Sequence, residues 1–138
     1  VDVVCALPLQ IEKDLGQMLG RDLPAQPLGA DGVILAEAAL ERNGIRDYFE
    51  QIYTCTEVGA GKDEPLIYLK AAEFMQAEPK DTVVFEDALH AAETAKQAGF
   101  VVIGVYDEEN RANIFRMKEV CDCYCDTMDA AIDWMKSK

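Results

Sequence analysis

The chain has few basic residues, one histidine and no long apolar run. Its 138 residues include 13 lysines and arginines against 26 aspartates and glutamates, so the formal net charge at pH 7 is -13. This charge repels the phosphate backbone of nucleic acids and an anionic membrane surface, and we expect neither as a partner. No stretch approaches the length of a membrane span, and the first residues lack the basic and apolar regions of a secretory signal.

The cysteines are odd in number, and three of the five are crowded together. Cys121, Cys123 and Cys125 are too close in sequence to pair with one another without strain, so we expect reduced thiols and a cytoplasmic location. A spacing of two would place these thiols on one face of a strand, where they either bind a soft metal or pack as small apolar groups. His90 has no partners for a metal site, and we expect it on a helix surface or in packing.

The length fits one domain with a single core. Short apolar runs alternate with segments of helical period, which predicts an α/β fold: a Rossmann-like parallel sheet with helices on both faces. We divide the chain into an uncertain N-terminal segment, residues 1–32, which could be the remnant of a helical cap, and a core, residues 33–138. The predicted core strands are Ile52–Cys55, Thr82–Phe85, Phe100–Tyr106 and Cys121–Cys125.

Helical period and boundary residues predict the helices. Val33–Asn43 is rich in strong helix formers, and Gly44 follows where a left-handed C-terminal cap is favoured. A second helix is predicted to begin near Pro65, because its fixed φ suits a first turn. The apolar stripe of this helix is predicted as Ile67, Ala71, Phe74 and Met75. Further helices are predicted at about Ala88–Ala98 and Arg111–Glu119 and around Met128 and Met135.

Two acidic residues, Glu86 and Asp87, follow the predicted strand Thr82–Phe85 and precede a helix. In open α/β sheets ligands bind at the carboxyl ends of the strands, where loops and helix N-termini meet. Adjacent carboxylates suit a hard cation such as Mg²⁺, which prefers oxygen ligands and can take the remainder from water and phosphate. The alternative is that Asp87 caps the following helix and Glu86 is solvated.

Lys62 lies in a Gly-Ala-Gly-Lys turn just before the helix that is predicted near Pro65. A cation in a loop at the start of a helix suits a phosphate group. The spacing of a P-loop, two glycines followed by Lys and Ser or Thr, is absent. The alternative is a solvated surface lysine, as most lysines are.

Several phrases taken together resemble one known family. Residues 38–107 are similar to the C-terminal half of the core domain in the haloacid dehalogenase superfamily, in the branch of beta-phosphoglucomutase and phosphoglycolate phosphatase. These short sequence segments follow one another in the order and spacing of the family, and the resemblance covers roughly half of the chain. They are Ala39–Ile45, Tyr48-Phe49, Gly61–Leu69, Val83–Asp87, Ala95–Gly99 and Ile103–Val105.

The resemblance implies a function as well as a fold. It makes Lys62 the catalytic lysine that stabilises the phosphate, and Glu86 and Asp87 the acidic Mg²⁺ motif. The implied chemistry is attack by an aspartate on a phosphoryl group, followed by hydrolysis or transfer. We expect a small phosphorylated metabolite as the substrate, Mg²⁺ as the cofactor and a monomer.

The chain departs from the family pattern at the nucleophile. The family's Asp-x-Asp-Gly motif is absent from all 138 residues, and so is the family's Ser or Thr motif. The most similar string is Gly29–Val33, in which Asp31 is a candidate for a degenerate first motif. Two interpretations stay open: a phosphatase or phosphomutase whose nucleophile lies on a further segment, or a catalytically inactive α/β domain with a binding or structural role.

Overall fold

The computed structural model describes residues 3–6 and 32–138, and the side chains from residue 36 onward. The strands are β1 (Val3–Ala6), β2 (Gln51–Thr54), β3 (Val83–Glu86), β4 (Val101–Val105) and β5 (Cys123–Cys125). The helices are α1 (Gly32–Arg42), α2 (Cys55–Val58), α3 (Leu66–Phe74), α4 (Leu89–Gln97), α5 (Ile114–Val120) and α6 (Met128–Lys136). No helix within these described ranges has the length and apolar character needed to cross a membrane.

Strands β3, β4 and β5 form the predicted parallel sheet, in that order. Val84 lies opposite Val102, and Ile103 lies opposite Cys123. The alternation of short apolar runs with helical segments predicted this arrangement, and the strand at Phe100–Tyr106 is apolar on both faces, as a strand covered by helices is. The α/β fold class is therefore confirmed.

Strand β2 does not belong to the parallel sheet. It pairs antiparallel with β1, with Val3 opposite Thr54 and Ala6 opposite Gln51. The assignment of Ile52–Cys55 to the parallel sheet is therefore wrong, since apolar alternation reveals a strand but carries no information on the direction in which it pairs. The pairing also connects part of the segment 1–32 to β2, while the domain division at residue 32 stays a prediction.

Three helices cover one face of the parallel sheet. Val84 and Val102 face this side, and the helices α3, α4 and α5 pack over them. The contact of α4 depends on small side chains, because Ala92 and Ala95 are fully buried and let the helix approach the strands closely. The buried members of this cluster are Ile67, Tyr68, Ala72, Ala92, Ala95, Phe100, Val102 and Met117.

Helix α6 covers the opposite face, so the prediction of helices on both faces is confirmed. Ala131 and Trp134 of α6 pack against Phe85, Ile103 and Cys125 of the strands. The Thr127 hydroxyl caps the first turn of α6, because its oxygen accepts a hydrogen bond of 3.2 Å from the Ala130 N–H. The two helical layers together bury the central strand β4.

The crowded cysteines divide between the two faces. Cys121 packs on the side of α3 to α5, whereas Cys123 and Cys125 pack on the side of α6. The prediction of one shared face is wrong for Cys121, because β5 begins only at Cys123 and the period of two does not extend before it. Burial raises the pKa of Cys121 and of Cys125 to about 11, as expected of thiols that pack as apolar groups. In the part of the chain that the structure describes, no group of three metal-binding side chains comes together.

Helix α1 ends at the predicted glycine. Gly44 has φ +68, a left-handed conformation that glycine adopts without steric cost. Its N–H bonds to the Glu41 carbonyl at 2.9 Å and the Ile45 N–H bonds to the Leu40 carbonyl at 3.0 Å, the hydrogen-bond pattern of a Schellman motif. Leu40, Ile45 and Ile52 then form a separate buried cluster that fastens α1 to β2.

Two helical predictions need correction. The sequence assigns Cys55 to the end of a strand and predicts no helix there, but Cys55 begins the short helix α2, and the capping residue Thr54 accepts a hydrogen bond from the Glu57 N–H. In α3 the predicted stripe is wrong at Phe74, which is exposed, while Tyr68 is buried in its place. Helix α3 therefore faces the sheet with the side that carries Ile67 and Tyr68.

Gly104 of β4 lies opposite Glu86 in the parallel pairing. A Cβ atom at this position would lie 2.8 Å from Cδ2 of Tyr124 and 2.9 Å from Sγ of Cys121. These two side chains therefore pack directly on the backbone of β4. No side chain other than that of glycine fits here without a shift of its neighbours.

Candidate active site

Glu86, the last residue of β3, lies at the carboxyl end of the parallel sheet and is only 4% exposed. Its neighbours Val84 and Val102 face the helical layer, and Glu86 faces the same side because side chains alternate along a strand. A carboxylate this deeply buried needs strong hydrogen-bond donors. Glu86 has two of them, both side chains: Lys62 and Tyr68.

Lys62 forms an ion pair with Glu86. Its Nζ atom is 2.7 Å from Oε1 of Glu86, and the lysine side chain is 12% exposed. The loop that carries Lys62 runs from Gly59, which ends α2 with φ 77, to Pro65, which precedes α3. Lys62 is therefore not the solvated surface lysine of the alternative interpretation.

Tyr68 supplies the second donor from the buried side of α3. Its hydroxyl donates a hydrogen bond of 2.7 Å to the same oxygen, Oε1 of Glu86. The Tyr68 residue is 1% exposed, and its ring lies 6.1 Å from the ring of Phe100, centroid to centroid. This packing fixes the position of the hydroxyl.

Asp87 lies next to Glu86 but faces solvent. Its Oδ2 atom accepts a hydrogen bond of 3.0 Å from Nδ2 of Asn110, in the loop after β4. The residue in the capping position of α4 is Ala88, which makes no side-chain cap hydrogen bond. The structure thus differs from the alternative in which Asp87 caps the helix, and it leaves an exposed carboxylate at the end of β3.

The loop after β4 brings further acidic residues to this end of the sheet. Asp107 accepts a hydrogen bond of 2.8 Å from the Glu109 N–H, which shapes the turn that carries Asn110. The Tyr106 hydroxyl bonds to Glu108, and this hydrogen bond raises the pKa of Tyr106 above its ordinary value of 10.0. Asn110 thus links the loop after β4 to the loop after β3.

The donor set at the end of β3 fits Mg²⁺. Carboxylate oxygens are the ligands that Mg²⁺ prefers, and the ion keeps several waters when a protein supplies only one or two carboxylates. Lys62 and Tyr68 both donate to Oε1 of Glu86, and Asp87 is exposed to solvent. Glu86 and Asp87 are the described residues that could hold such an ion together with water and phosphate.

The structure brings the predicted site residues together. Lys62 and Glu86 are in contact although 24 residues separate them, and Asp87 is adjacent. The alternative of a solvated Glu86 is wrong because Glu86 is buried. His90 is exposed on α4, and its carbonyl accepts a hydrogen bond of 2.9 Å from the Thr94 hydroxyl. Asp31, the candidate nucleophile, lies outside the described residues.

Sequence analysis missed two residues of this site, Tyr68 and Asn110. Tyr68 directly follows Ile67, and the helical stripe assigned from the sequence passed over it. The hydrogen bond from Tyr68 to Glu86 forms because α3 packs next to β3, although the two residues are 18 positions apart in sequence. Asn110 stands among acidic residues after a strand end, and that position was the available signal.

Comparison with known proteins identifies the family. The family model described as haloacid dehalogenase-like hydrolase matches residues 29–99, more than half of the chain. The chain belongs to this family. Helix α1 and all three residues of the Lys62, Glu86 and Asp87 group lie within the matched range.

Relatives in the haloacid dehalogenase-like family include phosphatases and a phosphomutase. The fructose-1-phosphate phosphatase YqaB of Escherichia coli is 33% identical over 98 residues, which are 71% of this chain and 52% of the relative. The beta-phosphoglucomutase of Bacillus subtilis is 36% identical over 70 residues, 51% of this chain and 31% of the relative. The chain thus spans about half the length, or less, of the curated relatives that it matches.

A solved structure supports the fold. The crystal structure of a conserved haloacid dehalogenase-like protein from Agrobacterium tumefaciens str. C58 superposes with a TM-score of 0.66 and 23% sequence identity. The match covers 90% of this chain and 60% of that protein. At this identity the likeness concerns the fold, in agreement with the parallel sheet described above.

Proposed function

We propose that the protein takes part in Mg²⁺-dependent phosphoryl transfer, as a phosphatase or phosphomutase that acts on a small phosphorylated metabolite. The observation that carries the proposal is the contact of Lys62 with Glu86 beside the exposed Asp87, at the carboxyl end of β3. This combines a cation for the phosphate with carboxylates for a metal in one place. The names of the relatives support a phosphorylated sugar as the substrate class.

The residues of this chain have distinct tasks in the proposal. Lys62 binds the phosphate and offsets its negative charge, which is a main source of catalysis in phosphoryl transfer. Glu86 and Asp87 hold Mg²⁺, and the bound ion supplies further neutralisation of charge on the phosphoryl oxygens. Asn110 orients the Asp87 carboxylate through its hydrogen bond. Catalysis here consists mostly of positioning and charge.

The nucleophile separates the two candidate functions. No Asp-x-Asp-Gly motif occurs in the 138 residues, so the enzyme hypothesis places the nucleophile on a further segment or at Asp31, and the alternative is a domain that binds metal and phosphate without turnover. Asp31 is the candidate nucleophile of the enzyme hypothesis within this chain. In either case we propose residues 33–138 as the core that carries the site.

Isothermal titration calorimetry tests the site in the 138-residue chain. Mg²⁺ is titrated alone and with inorganic phosphate, and we expect binding that is lost in Asp87→Ala. Asp133→Ala, which removes an exposed carboxylate from α6, is the matched control and should bind as the wild type does. Phosphate should strengthen Mg²⁺ binding, because it adds oxygen ligands while Lys62 offsets its charge.

The outcomes separate the hypotheses. Unchanged Mg²⁺ binding in Asp87→Ala would contradict the proposed metal site. Mg²⁺-dependent hydrolysis of p-nitrophenyl phosphate that disappears in Asp31→Asn would establish the enzyme and its nucleophile. Binding of Mg²⁺ and phosphate without hydrolysis would instead show that these 138 residues bind both ligands and that Asp31 is not the nucleophile.

A further inference from the structure

We propose that Tyr68 is a positioning residue that holds Glu86 in place when Lys62 leaves it to bind a phosphate group. The inference rests on the proposed function, since it concerns how the same site changes when phosphate binds. It assigns a role to a buried hydroxyl that the sequence pattern did not single out.

Two donors converge on one atom of Glu86. The Lys62 Nζ and the Tyr68 hydroxyl each lie 2.7 Å from Oε1. Hydrogen bonds to an ionised acceptor are the strong ones, and both distances are in their usual range. The same oxygen therefore accepts two hydrogen bonds.

The two donors differ in their freedom to move. Tyr68 lies on α3 in the buried cluster beside Phe100, where packing fixes its ring. Lys62 lies on the loop between Gly59 and Pro65, and its long side chain is still 12% exposed. One donor is thus built into the core, and the other is carried by a loop at the edge of the site.

This difference matters when phosphate binds. The Lys62 ammonium that neutralises a phosphate oxygen has to give up part or all of its contact with Glu86. Without a second donor, the buried Oε1 atom of Glu86 would be left without a hydrogen-bond donor, which is unfavourable. The Tyr68 hydroxyl already donates to the same oxygen, so the cost of releasing Lys62 is reduced.

A double-mutant cycle tests whether Tyr68 can stand in for Lys62. The free energy of unfolding is measured by urea denaturation for the full 138-residue chain and for Tyr68→Phe, Lys62→Met and the double variant, all without ligand. We expect the loss in the double variant to exceed the sum of the two single losses, because only the double variant leaves Oε1 without either donor. Additive losses would overturn the inference and leave the proposed function standing.

A binding measurement tests the role in phosphate binding. With Mg²⁺ saturating, the Kd for inorganic phosphate should rise about tenfold in Tyr68→Phe, which corresponds to about 1.4 kcal/mol. The Kd for Mg²⁺ alone should change much less. Tyr48→Phe is the matched control: it removes a hydroxyl from a partly buried ring of the separate cluster of Leu40, Ile45 and Ile52, and it should leave both values unchanged.

Two further outcomes would overturn the inference. A Tyr68→Phe variant that is less stable but binds phosphate as the wild type does would show that the Tyr68 hydroxyl stabilises the fold without a role in phosphate binding, and would overturn the inference. A wild-type chain that binds no phosphate in the presence of Mg²⁺ would overturn the proposed function and this inference with it. Circular dichroism of each variant confirms that the fold is retained before binding is compared.

Discussion

Two lysine–carboxylate pairs of nearly equal length lie at opposite ends of the parallel sheet. At the carboxyl end, Lys62 Nζ is 2.7 Å from Glu86 Oε1, and the side chains are 12% and 3% exposed. At the amino end, Lys96 Nζ is 2.6 Å from Asp122 Oδ1, and the side chains are 40% and 31% exposed. The distances are alike, but the surroundings are not.

The exposed pair is tied to the backbone. Asp122 Oδ2 accepts a hydrogen bond of 2.9 Å from the Val102 N–H, and the Asp122 N–H donates one of 2.8 Å to the Val102 carbonyl. These bonds fasten the start of β5 to β4, so the carboxylate has a structural task. The donors to Glu86 are the side chains of Lys62 and Tyr68, and they fasten no strand to its neighbour.

The comparison teaches that position and solvent decide what such a pair does. A pair removed from water pays desolvation that its Coulomb attraction only partly returns, so burial is poor evidence for a stabilising role. Charged groups gathered in a buried position at the binding end of a sheet are candidates for function instead. Lys62 with Glu86 fits the second description, and Lys96 with Asp122 fits a stabilising role.

Removing each lysine should separate the pairs most clearly. Lys62→Met leaves Glu86 buried without a cation, and we expect the free energy of unfolding to fall by about 3 kcal/mol, the low end for broken buried pairs because Tyr68 still donates. Lys96→Met leaves Asp122 open to water, and we expect a fall of about 0.5 kcal/mol. Urea denaturation measures both losses, and equal losses would contradict the comparison.

Removing the carboxylate as well should act in opposite directions at the two ends. Lys62→Met with Glu86→Gln eliminates the uncompensated charge while the amide oxygen still accepts from Tyr68, so we expect about 1–2 kcal/mol to be recovered relative to Lys62→Met alone. Lys96→Met with Asp122→Ala also takes the acceptor from the Val102 N–H, and we expect a further loss of about 1 kcal/mol. If the first double variant recovers no stability, the unpaired charge of Glu86 does not destabilise Lys62→Met.

Acid titration should give the smallest effect. Burial raises the pKa of Asp122, but the hydrogen bonds from Lys96 and from the Val102 N–H outweigh it and hold the pKa below its ordinary value of 3.8. A carboxyl group whose folded pKa is lowered adds stability above its unfolded pKa, and this stability is lost as the pH falls through the folded pKa. The stability gap between the wild type and Asp122→Asn should therefore be full at neutral pH and shrink below about pH 4.

Unfolding curves recorded across this pH range check the sign of the effect. A gap that stays constant down to the acid limit would mean that the Asp122 charge adds nothing to the contact with Lys96 and Val102. The contribution of Asp122 would then come from its geometry alone.

Much of the fold could be predicted because its signals are local. The strands around Val84 and Val102 are apolar on both faces, and Gly44 ends α1 through its own backbone conformation. The direction in which β2 pairs could not be predicted, since it depends on where β1 lies. The cap at Thr54 was readable from Thr54 and Glu57, three residues apart, but was passed over.

The site was predictable only in part, because some of its contacts join residues that are distant in sequence. Glu86 and Asp87 follow a strand, and Lys62 precedes a helix, so local position indicated them. The family resemblance then supplied the reason to expect all three together. Tyr68 and Asn110 contact the two carboxylates across 18 and 23 positions of sequence, and the position of Asn110 after a strand end is the one local signal for these contacts.

Gly104 has no side chain, and the side chains of Cys121 and Tyr124 fill the small space beside its Cα atom. A methyl group there would need the space that the Tyr124 ring and the Cys121 sulfur now occupy, beside the strand residue Glu86. A larger residue at position 104 therefore fits without a shift of its neighbours only after smaller residues have replaced both Cys121 and Tyr124. The order of substitution therefore matters among descendants of such a chain, because the reverse order passes through an ancestor in which atoms overlap beside Glu86.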